Sequence, residues 1–214
     1  RDTGARVLII GGGDGGSLRR VLMHDPASVV MCEIDESVVR LCRRFMPEIS
    51  DGAFDDPRAS VVFADGAAYV AEQTEAFDAI IVDGSDAIGP AAILFSEDFY
   101  ASCRRALRPG GVLVSQTGSP MFQADEFQLA FGNMSAVFEV VEPYISFVPT
   151  YPGTLWSYLL AGRSLLVFRG EAGRRATERG IVTRYWTPDV HEAAFALPNF
   201  VQEIVGGGAG PLES

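Results

Sequence analysis

Residues 7–16 read Val-Leu-Ile-Ile-Gly-Gly-Gly-Asp-Gly-Gly, an apolar run followed by a glycine loop that carries one acid, Asp14. A glycine loop between a first parallel strand and a helix lets a nucleotide approach the backbone closely, and the helix N-terminus behind it usually favours an anion. A carboxylate at that place repels phosphate. The loop therefore predicts a nucleoside ligand whose reacting end is cationic.

Two other interpretations of this loop stay open. Gly11, Gly13 and Gly16 also fit the dinucleotide pattern G-x-G-x-x-G, and Glu33 or Asp35 follows about twenty residues on, where a ribose ligand is expected. The spacing alone does not separate the two ligand classes. The glycines could also serve only a tight turn and close helix packing, although five glycines around one acid exceed what a turn requires.

Acidic side chains follow each of the first four predicted strands. They are Asp14, then Glu33 and Asp35, then Asp65, then Asp83 and Asp86. Because the carboxyl ends of parallel strands meet at one edge of a sheet, we expect these acids to converge on one crevice. Helix capping is the alternative role, and it is favoured for Asp35 and Glu36, which open a helix.

A pair of carboxylates suits a specific reaction. If the ligand carries a sulfonium, an amine that attacks the adjacent carbon must be neutral, whereas a free alkylamine has a pKa near ~10. A positioned carboxylate can accept the proton, which accelerates such steps on the order of 10²–10⁴-fold. We assign Asp83 to this base and Asp86 to the anchor of a second ammonium on the same substrate.

Composition bounds the class of protein. A chain of 214 residues with 48% hydrophobic content can bury the core of one α/β domain, which we place at 1–205, with a loose tail at 206–214. A net charge of −11 argues against nucleic acid or an anionic membrane as partner and is compatible with cationic small molecules. The chain has no lysine, which excludes Schiff-base chemistry, pyridoxal phosphate attachment and the P-loop.

Cysteine and histidine positions predict neither a disulfide framework nor a metal site. Cys32, Cys42 and Cys103 are widely spaced in apolar patterns, and His24 and His191 have no partner at ligand spacing. Apolar runs stay shorter than the ~18 residues of a membrane span, and the amino-terminus does not resemble a signal peptide. We expect a reducing compartment, the cytoplasm.

Apolar and helical patterns alternate along the chain. They predict five parallel strands, at 7–10, 29–34, 60–64, 79–82 and 112–115. Helices are predicted at 16–24, 36–46, 66–73 and 96–107, near 124–136 and within 189–205, and a turn at 108–111. Two β-prone segments, 138–148 and 155–168, are joined closely enough to form an antiparallel pair. The alternation predicts an α/β fold with a doubly wound, mostly parallel, seven-stranded methyltransferase-like (Rossmann-like) sheet and an antiparallel terminal strand.

A series of motifs keeps a fixed order between residues 5 and 204. It comprises the glycine loop at 11–16, Glu-Ile-Asp at 33–35, Asp-Gly at 65–66, Asp-Gly-Ser-Asp-Ala-Ile-Gly-Pro at 83–90, Leu-Phe-Ser-Glu-Asp-Phe-Tyr at 94–100, Arg-Pro-Gly-Gly at 108–111, Ser-Gln at 115–116, Pro-Thr-Tyr-Pro at 149–152 and the segment 183–198. Each motif alone is weak. The ordered set closely resembles the polyamine aminopropyltransferases, a family typified by spermidine synthase.

This resemblance implies a reaction between two small molecules. Decarboxylated S-adenosylmethionine would be the co-substrate that donates an aminopropyl group, with no tightly bound cofactor and no metal. A diamine such as putrescine would be the acceptor, and 5′-methylthioadenosine the by-product. The resemblance also implies a homodimer.

The resemblance also implies roles for individual residues on the donor side. Asp14 would hold the aminopropyl ammonium, Glu33 the ribose hydroxyls and Asp65 the adenine amino group. The other implied donor-binding positions are Gly11, Gly13 and Gly66.

On the acceptor side, Asp83 would act as the base and Asp86 would bind the diamine. Tyr151 would line the acceptor site and help to orient the attacking nitrogen, with Gln116 beside it. The residues implied as catalytic are therefore Asp83 and Tyr151, and those implied as acceptor-binding are Asp86, Gln116 and Tyr151.

The chain departs from the family pattern in two respects. Gly84 and Ala87 replace the usual hydroxyl residue and proline of the catalytic loop. Family members also usually carry an amino-terminal β-rich segment that supplies a tyrosine and a glutamine to the site, and whether one precedes Arg1 is left open. Two alternatives stand beside aminopropyl transfer. One is N-methylation of an amine with S-adenosylmethionine, since methyltransferases that resemble this family share its fold and motifs, and the other is a non-catalytic nucleoside- or polyamine-binding module.

Overall fold

The computed structural model describes residues 4–85, 89–151, 153–163, 166–180 and 182–206. The strands are β1 (Arg6–Gly11), β2 (Ser28–Glu33), β3 (Ala59–Phe63), β4 (Phe77–Asp83), β5 (Leu107–Gly118), β6 (Val140–Phe147) and β7 (Leu155–Gly162). The α-helices are α1 (Gly16–Leu22), α2 (Glu36–Phe45), α3 (Pro47–Ser50), α4 (Gly66–Ala71), α5 (Glu97–Ala106), α6 (Ala124–Val137), α7 (Leu166–Glu178), α8 (Pro188–Ala194) and α9 (Asn199–Val205).

The sheet has seven strands in the order β3-β2-β1-β4-β5-β7-β6. Strands β1 to β5 pair in parallel, with β1 between β2 and β4. The five predicted parallel strands and the seven-stranded, mostly parallel α/β fold are confirmed. The chain divides into two compact units, Arg1–Ser115 and Gln116–Ser214.

The core of the first unit lies on both faces of its parallel strands. Leu8, Ile9, Val29, Met31 and Ile80 are fully buried. Such continuous apolar runs are typical of parallel strands covered by helices on both sides. Helix α1 contributes Leu18 and Leu22 to this core, and α2 contributes Val39. Burial of these faces positions the loops at the strand ends.

The second unit contains the predicted antiparallel pair, which is confirmed. Strands β6 and β7 pair from Val140 opposite Gly162 to Phe147 opposite Leu155. In the sheet order β7, the last strand of the chain, lies between β5 and β6. The buried hydroxyl of Ser157 on β7 donates to the Gly118 carbonyl at 2.8 Å.

Two local predictions are wrong, and one short helix was not predicted. The strand expected over 155–168 ends at Gly162, and α7 begins at Leu166. A short apolar run does not by itself distinguish a strand from a helix. The turn expected at 108–111 lies within β5, where Gly110 adopts φ 82° and the β4–β5 register shifts between Phe77 and Ala79. Helix α3 was not predicted. It begins at Pro47, which ends α2 because proline is tolerated in the first turn of a helix but not in its interior.

Cys32, Cys42 and Cys103 are buried as free thiols. In the described ranges, no helix is long and apolar enough to cross a membrane. The same ranges contain no group of three or more His, Cys, Asp or Glu side chains that could hold a metal ion. The division into a domain at 1–205 and a tail at 206–214 stays a prediction, since 207–214 lie outside the described residues.

Candidate active site

The glycine loop between β1 and α1 needs glycine for its backbone. Gly11, Gly12 and Gly15 have φ of 85°, 69° and 80°, a region that side chains disfavour. The Gly12 N–H donates to the Asp83 carbonyl at 2.9 Å, and a Cβ on Gly11 would collide with that same oxygen. The loop therefore lies directly against the end of β4. Tight turning explains part of the glycine pattern.

Glu33, the last residue of β2, lies beside the loop at Gly13. A Cβ on Gly13 would come within 2.8 Å of Glu33 Oε2. The other oxygen, Oε1, accepts the Asp35 N–H at 3.0 Å, and only 9% of Glu33 is exposed. One carboxylate oxygen is thus fixed by the backbone and the other faces the loop, which suits an acceptor for ligand hydroxyls.

Asp83, the last residue of β4, lies against the loop at Gly12. Its Oδ2 would be 3.1 Å from a Cβ on Gly12, and it accepts the Ser17 hydroxyl at 2.5 Å. Glu33 and Asp83 therefore approach adjacent residues of the loop. Sequence reasoning did not identify Ser17. A hydroxyl directly after the last glycine was the available signal.

Asp14 is exposed at the loop and bonds to it locally. Its Oδ1 accepts the Gly16 N–H at 2.8 Å. This bond shapes the turn into α1. The pKa of the neighbouring Cys42 thiol is raised by burial first and then by the charges of Asp14 and Glu33.

Asp65 caps helix α4, and its contact with the adenine amino group stays a prediction. Its Oδ1 accepts the N–H groups of Ala67 at 2.8 Å and Ala68 at 3.1 Å. Gly66 packs so closely against the Ile10 side chain that a Cβ would collide with it. Gly66 is therefore required for helix packing on β1, whereas ligand binding by Gly66 stays a prediction.

Nearby acids also affect the pKa of the Cys32 thiol. Burial, followed by the charges of Asp65 and Glu33, raises the pKa of its thiol to about 11. Glu33 pairs with Phe63 at the ends of β2 and β3, so Asp65, which follows β3, lies at the same end of the parallel strands as Glu33. The structure brings Glu33 and Asp83 against the glycine loop that carries Asp14, whereas Asp65 follows β3, the second strand from β1.

In the second unit, Trp156 contacts both Tyr151 and Gln116, which were predicted to lie at the acceptor site. The Tyr151 ring stacks on Trp156 with centroids 4.2 Å apart and planes at 24°. The Trp156 Nε1–H donates to Gln116 Oε1 at 3.1 Å. Trp156 is 5% exposed, while Tyr151 is 41% exposed. Sequence reasoning did not identify Trp156, although a buried indole N–H requires an acceptor. Asp86 lies outside the described residues.

The side chains around the glycine loop indicate a class of protein. Carboxylates at the ends of parallel strands surround a glycine loop that carries a further acid. Backbone at this edge can approach a nucleoside, and the negative charge selects a cationic one. The first unit is an α/β module whose strand ends carry acids around a glycine loop, an arrangement that suits a positively charged nucleoside.

The chain belongs to the family described as the spermine/spermidine synthase domain, whose model matches residues 2–169. It is 44% identical over 206 residues to polyamine aminopropyltransferase 1 of Pseudomonas aeruginosa, covering 94% of this chain and 72% of that protein. It is 45% identical over 204 residues to the polyamine aminopropyltransferase of Pseudomonas syringae pv. tomato, covering 94% and 71%. The resemblance carried by the ordered motifs is confirmed.

Solved structures agree. A spermidine synthase in complex with the transition state analogue AdoDATO superimposes with a TM-score of 0.91 at 39% identity, covering 96% of this chain and 70% of that chain. The spermidine synthase from Thermotoga maritima superimposes with a TM-score of 0.87 at 38% identity, covering 96% and 69%.

Proposed function

We propose that this chain is a polyamine aminopropyltransferase that transfers an aminopropyl group from decarboxylated S-adenosylmethionine to a putrescine-like diamine. The products are a spermidine-like triamine and 5′-methylthioadenosine. The observation that carries the proposal is the approach of Glu33 and Asp83 to adjacent glycines of the loop that bears Asp14. Membership in the spermine/spermidine synthase domain family supports the same reaction.

Donor binding is assigned to the acids of the first unit. Asp14 pairs with the ammonium of the aminopropyl group, and Glu33 Oε2 accepts from the ribose hydroxyls. Asp65 accepts from the adenine amino group through the oxygen that does not cap α4. Gly11, Gly13 and Gly66 are assigned to the backbone that the nucleoside approaches. A Cβ at each position would also collide with protein neighbours, so the same glycines serve the packing of the loop and of α4.

Chemistry proceeds by direct in-line displacement. The lone pair of a neutral amine nitrogen forms a bond to the aminopropyl carbon next to the sulfonium. The carbon–sulfur bond breaks, its electron pair stays on sulfur, and the sulfonium becomes a neutral thioether. The proton lost by the attacking nitrogen passes to the Asp83 carboxylate.

Acceptor binding is assigned to Asp86, Tyr151 and Gln116. Asp86 pairs with the distal ammonium of the diamine. Tyr151 and Gln116 orient the attacking nitrogen, and the Trp156 ring that contacts both supports this pairing.

Turnover tests the proposal. The chain is incubated with putrescine and decarboxylated S-adenosylmethionine, and 5′-methylthioadenosine and spermidine are quantified. We expect both products in equal amounts, and a loss on the order of 10²–10⁴-fold in rate for Asp83→Asn, which removes the base while keeping its shape. Absence of product above the Asp83→Asn background rejects catalysis by this chain.

The same assay separates the alternative methyl transfer. S-adenosylmethionine replaces the decarboxylated donor, and S-adenosylhomocysteine is the product sought. We expect weak binding and no methyl transfer, because Asp14 repels the donor carboxylate. Methylated putrescine would instead identify an amine N-methyltransferase, and tight donor binding without either product would identify a binding module.

The proposal includes a cytoplasmic homodimer. Buried free thiols at Cys32, Cys42 and Cys103 suit a reducing compartment, and the family resemblance supports pairing. Sedimentation analysis tests the dimer, which a monomer at micromolar concentration would contradict. Subcellular fractionation tests the location, which recovery outside the cytoplasm would contradict.

A further inference from the structure

Ser17 holds one oxygen of the Asp83 carboxylate. Its hydroxyl donates to Asp83 Oδ2 at 2.5 Å, across 66 residues of sequence, and the bond is partly buried. This length is at the short end of the range for O–H···O⁻ bonds, which are about twice as strong as neutral ones. Ser17 is the second residue of α1, directly after the glycine loop.

The main chain of Asp83 is held from the same side. The Asp83 carbonyl accepts the Gly12 N–H at 2.9 Å, and Asp83 pairs in register with Gly11 at the end of the β1–β4 ladder. The glycine loop thus hydrogen-bonds to the backbone of Asp83, while Ser17 of the following helix hydrogen-bonds to its side chain. Both ends of the residue are anchored to one segment of chain.

Within the ranges that the structure describes, Asp83 Oδ1 accepts no hydrogen bond. A general base needs one oxygen free for the proton and a fixed orientation relative to the attacking atom. A displacement of about 1 Å at the reacting atoms can cost about 10²-fold in rate.

We propose that Ser17 is a positioning residue for aminopropyl transfer, which fixes Asp83 Oδ2 so that Oδ1 faces the attacking nitrogen. The inference rests on the proposed function, since it assumes that Asp83 is the base. It adds to the motif-based assignment a residue that acts through Asp83 without touching either substrate.

A structural role for Ser17 makes a different prediction. If the hydroxyl served mainly to attach α1, its removal would lower thermal stability and donor binding together. Helix α1 is anchored independently by Leu18, which is fully buried, and by Leu22. We therefore expect Ser17→Ala to fold and bind donor normally.

The experiment compares Ser17→Ala, Ser17→Thr and Ser135→Ala in the full chain. The readouts are kcat, donor affinity by calorimetry, and the melting temperature. Ser17→Ala is expected to lower kcat about tenfold, with donor affinity and melting temperature unchanged. Ser17→Thr keeps the hydroxyl and is expected to restore kcat. Ser135 is exposed on α6 and provides the control, with wild-type values expected.

A double-mutant cycle tests whether Ser17 acts through Asp83. In an Asp83→Asn background, Ser17→Ala is expected to cause no further loss, because the carboxylate that it orients is already absent. Full additivity of the two losses overturns the proposal. An unchanged kcat for Ser17→Ala, or a parallel fall in melting temperature and donor affinity, overturns it as well.

Crystal structures of the wild type and Ser17→Ala give a readout independent of turnover. The Asp83 side chain is expected in one rotamer in the wild type and in more than one in the variant. An unchanged single rotamer rejects the positioning role even in an active enzyme. Lack of turnover by the wild type rejects the proposed function instead, whatever rotamers are found.

Discussion

At the scale of single residues, three acids of the candidate site make hydrogen bonds that stabilise the fold and are also proposed to bind the donor. Asp65 caps α4, Glu33 holds the Asp35 N–H and Asp14 shapes the entry to α1. Carboxylates have several lone pairs, so one oxygen can serve the fold while the other serves a ligand. Loss of ligand binding in a variant must therefore be separated from loss of structure.

Trp156 offers such a separation on the acceptor side. Trp156→Phe keeps an aromatic ring against Tyr151 but removes the donor to Gln116 Oε1. A hydrogen bond of this kind contributes about 0.5–1.5 kcal/mol. We expect the KM for the diamine to rise roughly three- to tenfold, with donor affinity unchanged, in steady-state kinetics.

Trp186→Phe is the matched control for that change. Trp186 also donates its indole N–H, to His191 Nδ1 at 3.5 Å, but neither residue is assigned to the site. An equal rise of the diamine KM in both variants would contradict a specific role for the Trp156 bond.

At the scale of elements, helix N-termini follow the strands whose acids are assigned to the donor. Asp35 caps α2 by accepting the Ser37 N–H at 2.8 Å, as Asp65 caps α4. Both acids follow parallel strands, yet only Asp65 is assigned to the ligand. The two caps form a natural pair for comparison.

We expect Asp35→Ala and Asp65→Ala each to lower the free energy of unfolding by about 1 kcal/mol, the usual contribution of a helix cap. Only Asp65→Ala should also weaken donor binding, because it removes the adenine contact. Urea unfolding and calorimetric titration of the donor measure the two effects. If Asp35→Ala weakened donor binding as strongly, the effect would belong to the helix ends and the adenine assignment would fail.

At the scale of the whole molecule, the amino ends of the parallel strands, opposite to the proposed active site, carry a group of ion pairs around Arg58. Arg58 bonds Asp56 at 2.8 Å and Asp25 at 2.9 Å, just before β3 and β2 begin. The side-chain hydrogen bond from Arg58, followed by its backbone N–H, lowers the pKa of Asp56 from 3.8 to about 2. The carboxyl ends of the strands are thus assigned to ligand binding. At their amino ends, Arg58 links the loop before β2 to the loop before β3.

This pair predicts a pH dependence of stability. Since the pKa of Asp56 is lower in the folded state than in the unfolded state, its contribution is present above about pH 4 and is lost as the pH falls towards 2. Asp56→Asn should abolish that component, so its melting temperature should fall less than that of the wild type between pH 5 and pH 2.5. Parallel curves for the two proteins in thermal unfolding would show that the pair does not contribute.

Sequence reasoning reached the parts of this protein that depend on local pattern. The parallel strands, the glycine loop, the capping by Asp35 and the family motifs all follow from residue type and spacing over short windows. Because parallel strands end at a common edge, the approach of Glu33 and Asp83 to the loop that carries Asp14 could also be predicted. Where an apolar run was short, as at 163–168, local pattern did not decide between strand and helix.

Tertiary structure decided the contacts between distant segments. The bond from Ser17 to Asp83 spans 66 residues, and that from Trp156 to Gln116 spans 40. Each of these hydrogen bonds depends on the register of the strands and on the rotamer of a packed side chain, because a small shift of either group would break it. Residue type and spacing predicted which groups could take part in the reaction, whereas only packing determined which oxygen of Asp83 the Ser17 hydroxyl holds.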